Sequence, residues 1–407
     1  MDTDEHRFLY VFDKLSVFIS VHPWFYIFMS ENMDREIYKA IGLMSGTSLD
    51  GAIDVALIET DGEGYVKPLG FYSHECGDAM GDVVRSCFGK KVADDETWAA
   101  EDLVTQAHID AVKASGFEAG VIGFHGQTIT HDADGGFTWQ LGDGARLAAE
   151  TGIDVICDMR QADIKAGGQG APLAPFYHAA IVGERDVPVA VLNIGGVSNV
   201  TFIDANKPSV CFAGSGTDTG SGSDFRHVVA FDTGPGNALM DDYCLEHFDC
   251  AFDEGGKIAH SGKADRAIVD AFLARDYFKM LIPKSLDRNE FADILDGFEG
   301  EPKDGLATMA VCSAASVMAA VKHFPRVPHA WYVCGGGRKN DFMMDLLRDM
   351  LAPSDVLPIE ELGYDGDASE AQAFAYLAVR SLLGLPLSAP GTTGANEPVS
   401  GGVYHAS

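Results

Sequence analysis

The sequence lacks the signatures that most often mark a nucleotide or metal site. It has no GxxxxGK[ST], and no GxGxxG opens a helix, which excludes the Walker and Rossmann phosphate loops. It has no Cys-x-x-Cys pair and no Cys/His cluster at zinc spacing. The eight cysteines (Cys76, Cys87, Cys157, Cys211, Cys244, Cys250, Cys312 and Cys334) are scattered through 407 residues and read as reduced core thiols, which favours the cytoplasm. Basic residues are scarce. Lys+Arg number 29 against 61 Asp+Glu, a net charge of −32. A surface of that sign repels nucleic acid and anionic lipid, so neither is expected as a partner. No single acidic run looks like an interaction tail, and the excess reads as a solubility device.

A globular chain remains: 46% of residues are hydrophobic and 22% charged, and the length suits two domains with their own cores. Residues 8–29 are strongly apolar and aromatic, but Asp13, Lys14, His22 and Pro23 interrupt them. The acidic start, Met1-Asp2-Thr3-Asp4-Glu5, is the reverse of a signal peptide's basic region, so neither a leader nor a membrane span is expected. Residues 1–34 read as an apolar extension, and Met33 before Asp34-Arg35-Glu36 suggests that the first 32 are an over-long gene start.

Residues 41–58 are two apolar, strand-like runs joined by a turn of small polar residues. Ser45, Gly46, Thr47 and Ser48 gather backbone N–H groups and hydroxyls that suit a phosphate, though an ordinary hairpin turn has the same composition. Residues 187–203 repeat the design around Gly195-Gly196, which suggests two similar halves whose symmetry is structural. The short apolar run 121–124 delivers His125-Gly126-Gln127-Thr128 at a strand end, where α/β sheets bind ligands; a turn with a hydrogen-bonded histidine is the alternative. Residues 154–157 lead into Asp158, Arg160 and Asp163 and then Gly167-Gly168-Gln169-Gly170, a combination that a scaffold rarely needs. The run 228–231 ends at Asp232 beside Gly234 and Gly236, suited to an Mg2+–phosphate site or an Asx-turn. The run 331–334 opens onto Gly335-Gly336-Gly337. Helices are expected over 94–115, 145–151, 265–280, 308–323, 341–351 and 368–383, the last rich in alanine and suited to close packing. Residues 206–226 read as a Gly/Ser/Asp-rich surface loop, and the tail after Leu385 as ordered only where it docks.

Three strand-to-glycine turns, 45–51, 195–199 and 335–337, would converge on one nucleotide in a cleft between two α/β halves. This arrangement resembles the actin/hexokinase/Hsp70-like ATPase superfamily, with two RNase H-like α/β domains flanking the cleft. At motif level, GLMSGTSLDG (42–51), GFHGQTITH (123–131), GDG (142–144), DMRQADIKAGGQGAPLAPFYH (158–178), LNIGGVSNVT (192–201), FDTGPGN (231–237), PKS (283–285), CGGG (334–337) and EAQAFAYLA (370–378) resemble, in order and spacing, the anhydro-N-acetylmuramic acid kinase family.

The resemblance implies hydrolytic opening of the 1,6-anhydro ring of anhydro-N-acetylmuramic acid, with phosphorylation of O6 by ATP, in peptidoglycan recycling. It implies Asp163 as the catalytic base. It also implies cofactor contacts from Gly46, Thr47, Ser48, Leu49, Asp50, Gly51, Ala52, Ile53 and Asp54, and from Gly195, Gly196, Gly335, Gly336 and Gly337. Substrate contacts are expected from His125, Gln127, Asp158, Arg160, Gly168 and Gln169, with Asp232 as the Mg2+ or phosphate-side acid. The expected lobes are 35–160 with 368–407, and 161–367; the expected partner is a small amino sugar, the chain acting alone or as a homodimer. Asp163 could instead cap the helix or turn entering the glycine loop. Two other readings stay open: an actin- or Hsp70-like nucleotide switch, which would not require the 158–170 block, and a hexose kinase in which Asp163 deprotonates a hydroxyl directly.

Overall fold

The first antiparallel hairpin expected from the sequence opens a sheet. The structure, a computed structural model, describes residues 36–46, 52–76, 78–204 and 228–407. The apolar extension 1–34, residues 47–51 of the first turn and the 206–226 segment lie outside these residues. In chain order the strands are β1 Tyr38–Ser45, β2 Ala52–Thr60, β3 Val66–Glu75, β4 Val121–Phe124, β5 Gln127–Asp132, β6 Phe137–Leu141, β7 Asp154–Cys157, β8 Val189–Ile194, β9 Val197–Ile203, β10 Val228–Pro235, β11 Ala330–Cys334, β12 Asp355–Pro358 and β13 Val403–His405.

One sheet runs β13-β7-β4-β1-β2-β3 and the other β10-β9-β8-β11-β12, with β5 and β6 a separate hairpin. In the first, β1, β2 and β3 are antiparallel and β4 and β7 lie parallel to β1. In the second, β8, β9 and β10 are antiparallel and β11 and β12 lie parallel to β8. Leaving out β13, both have the order third-second-first-fourth-fifth. Two RNase H-like α/β halves thus stand in one chain, the arrangement of the actin/hexokinase/Hsp70-like ATPases. Strands β4 and β8 are buried at every residue, as strands covered on both faces must be.

Helix Ser369–Leu382 shows why its alanines matter. Gly42 and Gly123 are register partners on β1 and β4. A Cβ at Gly42 would lie 1.7 Å from the Ala371 carbonyl oxygen, and one at Gly123 2.0 Å from that of Phe374. The helix backbone therefore rests directly on the sheet, which only glycine below and small residues above allow. A single core then joins the sheets: Ala40, Ile58 and Val121 from the first, Val191 and Tyr332 from the second, with Tyr177 and Leu377 between them. Tyr177, on helix Pro175–Val182, donates its hydroxyl to Gln372. Residues Tyr38–Ser407 accordingly form one compact unit.

Two local expectations are corrected. Residues 265–280 are not one helix: Arg266–Leu273 ends, Arg275 is extended (ψ 154°), and Asp276–Lys279 forms a 3-10 turn. The break turns Tyr277 and Phe278 inward against Phe272 and Phe291. β10 does not stop before Asp232 but continues to Pro235 through a bulge between Asp232 and Gly234, because its pairing with β9 resumes there. Helix Pro302–Ala320, with its 3-10 extension to His323, is long and apolar enough to cross a membrane, but 72% of that window is buried in the protein, the position of a core helix.

Candidate active site

Asp163 lies in the short helix Gln161–Lys165 and is buried. Its Oδ2 accepts from the Gly170 N–H (2.6 Å), and its Oδ1 from the hydroxyls of Thr393 (2.5 Å) and Ser388. It caps no helix end; it organises the glycine loop. Gly168 donates its N–H to the Asp163 carbonyl (2.9 Å), and a Cβ there would lie 2.2 Å from Oδ2, so the loop closes on the carboxylate only with glycine at this position. Gln169 is held at three points. Its N–H donates to the Thr393 carbonyl (2.7 Å), its carbonyl accepts from His131 Nε2 (2.9 Å) and its side-chain oxygen from the Ser285 hydroxyl (2.9 Å).

Arg160 connects this loop to the end of β4. Its Nη1 donates to the Gly170 carbonyl (2.8 Å), while Nε and Nη2 reach His125 Nε2 at 3.2 and 2.9 Å. Arginine only donates, so His125 accepts at Nε2 and carries its proton on Nδ1, which donates to the Gly126 carbonyl (2.6 Å). Burial and the Arg160 charge hold the His125 pKa well below its ordinary value, consistent with a neutral ring. Burial also lowers that of Arg160 to about 10, against the pull of Glu370, Asp232 and Asp163. Asp158 faces elsewhere. It sits at φ 51° beside Cys157, and the charges acting on it are His405 and Lys165, not Arg160. Burial raises its pKa.

The glycine turns of the second half meet one another. Asn237 and Gly236 donate their N–H groups to the carbonyls of Gly195 (2.7 Å) and Gly196 (3.0 Å). A Cβ at Gly335 (φ 75°) would lie 2.3 Å from Asn193 Oδ1, and one at Gly337 2.3 Å from the Ile194 side chain. Asn193 in turn donates to Glu370 (3.1 Å), at the start of the helix that rests on the first sheet. Glu370 is exposed to solvent, and the protein packed around its carboxyl raises its pKa. Asn193 thus ties the glycine turn of the second sheet to the helix over the first, and the charge of Glu370 acts on Arg160, which bonds His125.

At the first turn, Ser45 donates to the Gly126 carbonyl (3.5 Å) and the His125 N–H to that of Leu43 (3.4 Å). Gly46 follows Ser45, while Thr47, Ser48, Leu49, Asp50 and Gly51 lie outside the described residues. Ala52 and Asp54 open β2, but the Ile53 side chain is fully buried in the core beneath the sheet, so it offers a cofactor no side-chain contact. Gln127 is fully buried at the start of β5, and neither atom of its amide has a hydrogen-bond partner among the described residues. Leaving such a group unmatched costs about 1–3 kcal/mol, which a polar substrate group would offset.

The surroundings of Asp232 do not fit a metal ligand. One carboxylate oxygen accepts from the Leu286 N–H (2.8 Å), its own N–H donates to the Lys284 carbonyl (2.9 Å), and the charges acting on it are the cations Arg160 and Lys284. Among the described residues no three His, Cys, Asp or Glu side chains are grouped to hold a metal. Burial nevertheless pushes the Asp232 pKa up to about 7. These bonds tie the 283–286 segment to β10, and Ser285 of that segment meets Gln169. Lys284, over the Tyr277 ring (3.8 Å) and bonded to the Tyr277 carbonyl, is lowered to about 8 by burial.

Ser388, Thr393, Asn193 and Glu370 are site residues that local sequence reading passed over. The Thr-Thr-Gly turn in a tail otherwise read as docking chain was the only available signal for the first two.

The family model described as anhydro-N-acetylmuramic acid kinase matches residues 38–406. The chain is 44% identical over 381 residues to a protein of that name from Rhizorhabdus wittichii, covering 90% of this chain and 98% of that one. It is 46% identical over 378 residues to one from Paramagnetospirillum magneticum, covering 90% and 99%. Among solved structures, a ROK family glucokinase from Streptomyces griseus in complex with glucose and AMPPNP aligns with a TM-score of 0.38 at 15% identity, covering 84% of this chain and 99% of that one. On its sequence from residue 38 to residue 406, the chain belongs to the anhydro-N-acetylmuramic acid kinase family.

Proposed function

We propose that this chain opens the 1,6-anhydro ring of anhydro-N-acetylmuramic acid with water and transfers the γ-phosphoryl group of ATP to O6, giving N-acetylmuramic acid 6-phosphate for cell-wall recycling in the cytoplasm. The supporting observation is the Asp163 loop, tied by Arg160 to His125, in a chain whose glycine turns at Gly195 and Gly335 gather around Asn193 and Asn237. The loop carries the base, and the turns offer backbone N–H groups of the kind that suit phosphate. The two lobes are taken as 35–160 with 368–407, and 161–367. The seven described cysteines are free thiols, which agrees with a reducing compartment.

Asp163 takes a proton from water as the water oxygen bonds to C1. The C1–O6 bond breaks, and O6 attacks the γ-phosphorus as ADP leaves. Such a base contributes roughly 10²–10⁴-fold. ATP enters as its magnesium complex, and no protein carboxylate is assigned to the metal. His125, Gln127 and Arg160, with the loop at Gly168 and Gln169, hold the sugar; Gly46, Gly195, Gly196 and the turn 335–337 hold the nucleotide through their backbone.

Reaction with Mg-ATP in ¹⁸O water tests the reading. Label at C1 of a 6-phosphorylated product is expected. Unlabelled product would indicate a simple kinase, and ADP release indifferent to sugar a nucleotide switch. Asp163→Asn should fold normally, checked by thermal melting, and lose roughly 10³-fold or more in kcat.

A further inference from the structure

We infer that Ser388 and Thr393, in the C-terminal segment, are positioning residues that direct the proton to one oxygen of Asp163, Oδ2. The inference rests on Asp163 being the base. A carboxylate oxygen has two lone pairs, and both of those on Oδ1 are engaged, one by each hydroxyl. Oδ2 has a single donor, the Gly170 N–H, and so retains one lone pair. Gly168, with no Cβ, keeps a side chain away from that oxygen. Ser388 and Thr393 are fully buried, so water does not compete for their hydroxyl protons.

The segment is tied down independently of those hydroxyls. Gln169 donates its N–H to the Thr393 carbonyl, and Asn396 donates from N (3.3 Å) and Nδ2 (3.0 Å) to the Ala166 carbonyl. Within the turn Pro390–Thr393, Ala389 and Thr392 bond to each other, and the Thr393 N–H reaches the Ala389 carbonyl (3.1 Å). A Cβ on Gly391 would lie 2.4 Å from the Val228 carbonyl of β10, and one on Gly394 2.9 Å from Pro283. The turn is thus wedged between the Asp163 loop and the second half. The positions of both hydroxyls therefore follow from backbone contacts, and a hydroxyl can be removed without releasing the segment.

The test uses the full chain and compares Thr393→Val, Thr393→Ser, Ser388→Ala and Asp163→Asn under Mg-ATP and anhydro sugar, with thermal melting of each. Thr393→Val is expected to lower kcat roughly 10- to 100-fold, the effect of losing a hydrogen bond to a charged group. KM for sugar and for ATP should stay within about threefold, and Thr393→Ser, which restores the donor, should return kcat to within about threefold of the native value. Ser388→Ala should behave as Thr393→Val, and carries the same test if the valine variant does not fold. The inference is overturned if Asp163→Asn is inactive while Ser388→Ala and Thr393→Val keep kcat within about twofold, or if their losses lie in KM alone. Turnover retained by Asp163→Asn would instead overturn the base reading itself.

Discussion

The two sheets share a strand order, yet their functional ends are built differently. The first ends in side chains: His125 after β4, then Arg160 and Asp163 after β7, bonded through nitrogen and oxygen atoms that another residue type cannot reproduce. The second ends in glycines: Gly195 and Gly196 after β8 and Gly335 to Gly337 after β11, where a Cβ at Gly335 or Gly337 would overlap Asn193 or Ile194. On the proposed reading, the same scaffold serves a side that works by functional groups and a side that works by backbone. Damage to the first should change chemistry and sugar handling. Damage to the second should change nucleotide binding.

Arg160→Gln should break the contrast most severely. It removes the donors to His125 and Gly170 and a charge that faces Glu370 and Asp232. Losing charged hydrogen bonds to two partners costs about 2–4 kcal/mol, so kcat/KM for the sugar should fall roughly 30- to 1000-fold while KM for ATP moves less than threefold. Steady-state kinetics with each substrate varied in turn checks this.

Gly335→Ala should sharpen the contrast from the other side. The added methyl meets Asn193 at 2.3 Å on a backbone at φ 75°, a strain of about 1–3 kcal/mol. KM for ATP should rise roughly tenfold with KM for the sugar unchanged, and a comparable rise in both would show that the two sides are not separable.

The last effect is on stability and leaves turnover aside: it concerns Asp232, where the charge of Arg160 acts on the second sheet. Its folded pKa, about 7, lies above the ordinary value near 4, so both states are neutral at low pH. As the pH climbs from about 4 to about 7, the unfolded chain ionises first and the folded state loses stability, by at most about 4 kcal/mol. Asp232→Asn should therefore raise the melting temperature relative to the native protein more at pH 8 than at pH 5, and scans at the two values check the sign. An equal shift at both would mean that the carboxyl is already ionised at pH 5.

Much of this was legible in the sequence where the physics is local. Residues 41–58 and 187–203 read as hairpins because apolar runs flank turn residues, and they are β1–β2 and β8–β9. The alanines at 371, 373, 375 and 378 announced a close-packed helix, although its contacts, Gly42 and Gly123, lie hundreds of residues upstream. Asp163 stood out by the loop after it. The end of β10 was not legible, because a strand reaching Asp-Thr-Gly looks the same whether it stops there or continues through a bulge. The backbone of Asp158, at φ 51°, could not be read from its neighbours, and the charges that act on its carboxyl, His405 and Lys165, lie outside the motif core.

The amino-acid sequence by itself determined the two halves, the glycine turns and the block around Asp163, since turn propensity, strand patterning and motif spacing act between near neighbours. Only the tertiary structure decided what completes that block. Ser388 and Thr393 reach Asp163 across 225 and 230 residues, and Asn193 reaches Glu370 across 177. Those pairings depend on the order of strands in two sheets and on one helix resting on paired glycines, and no stretch of neighbouring residues specifies them.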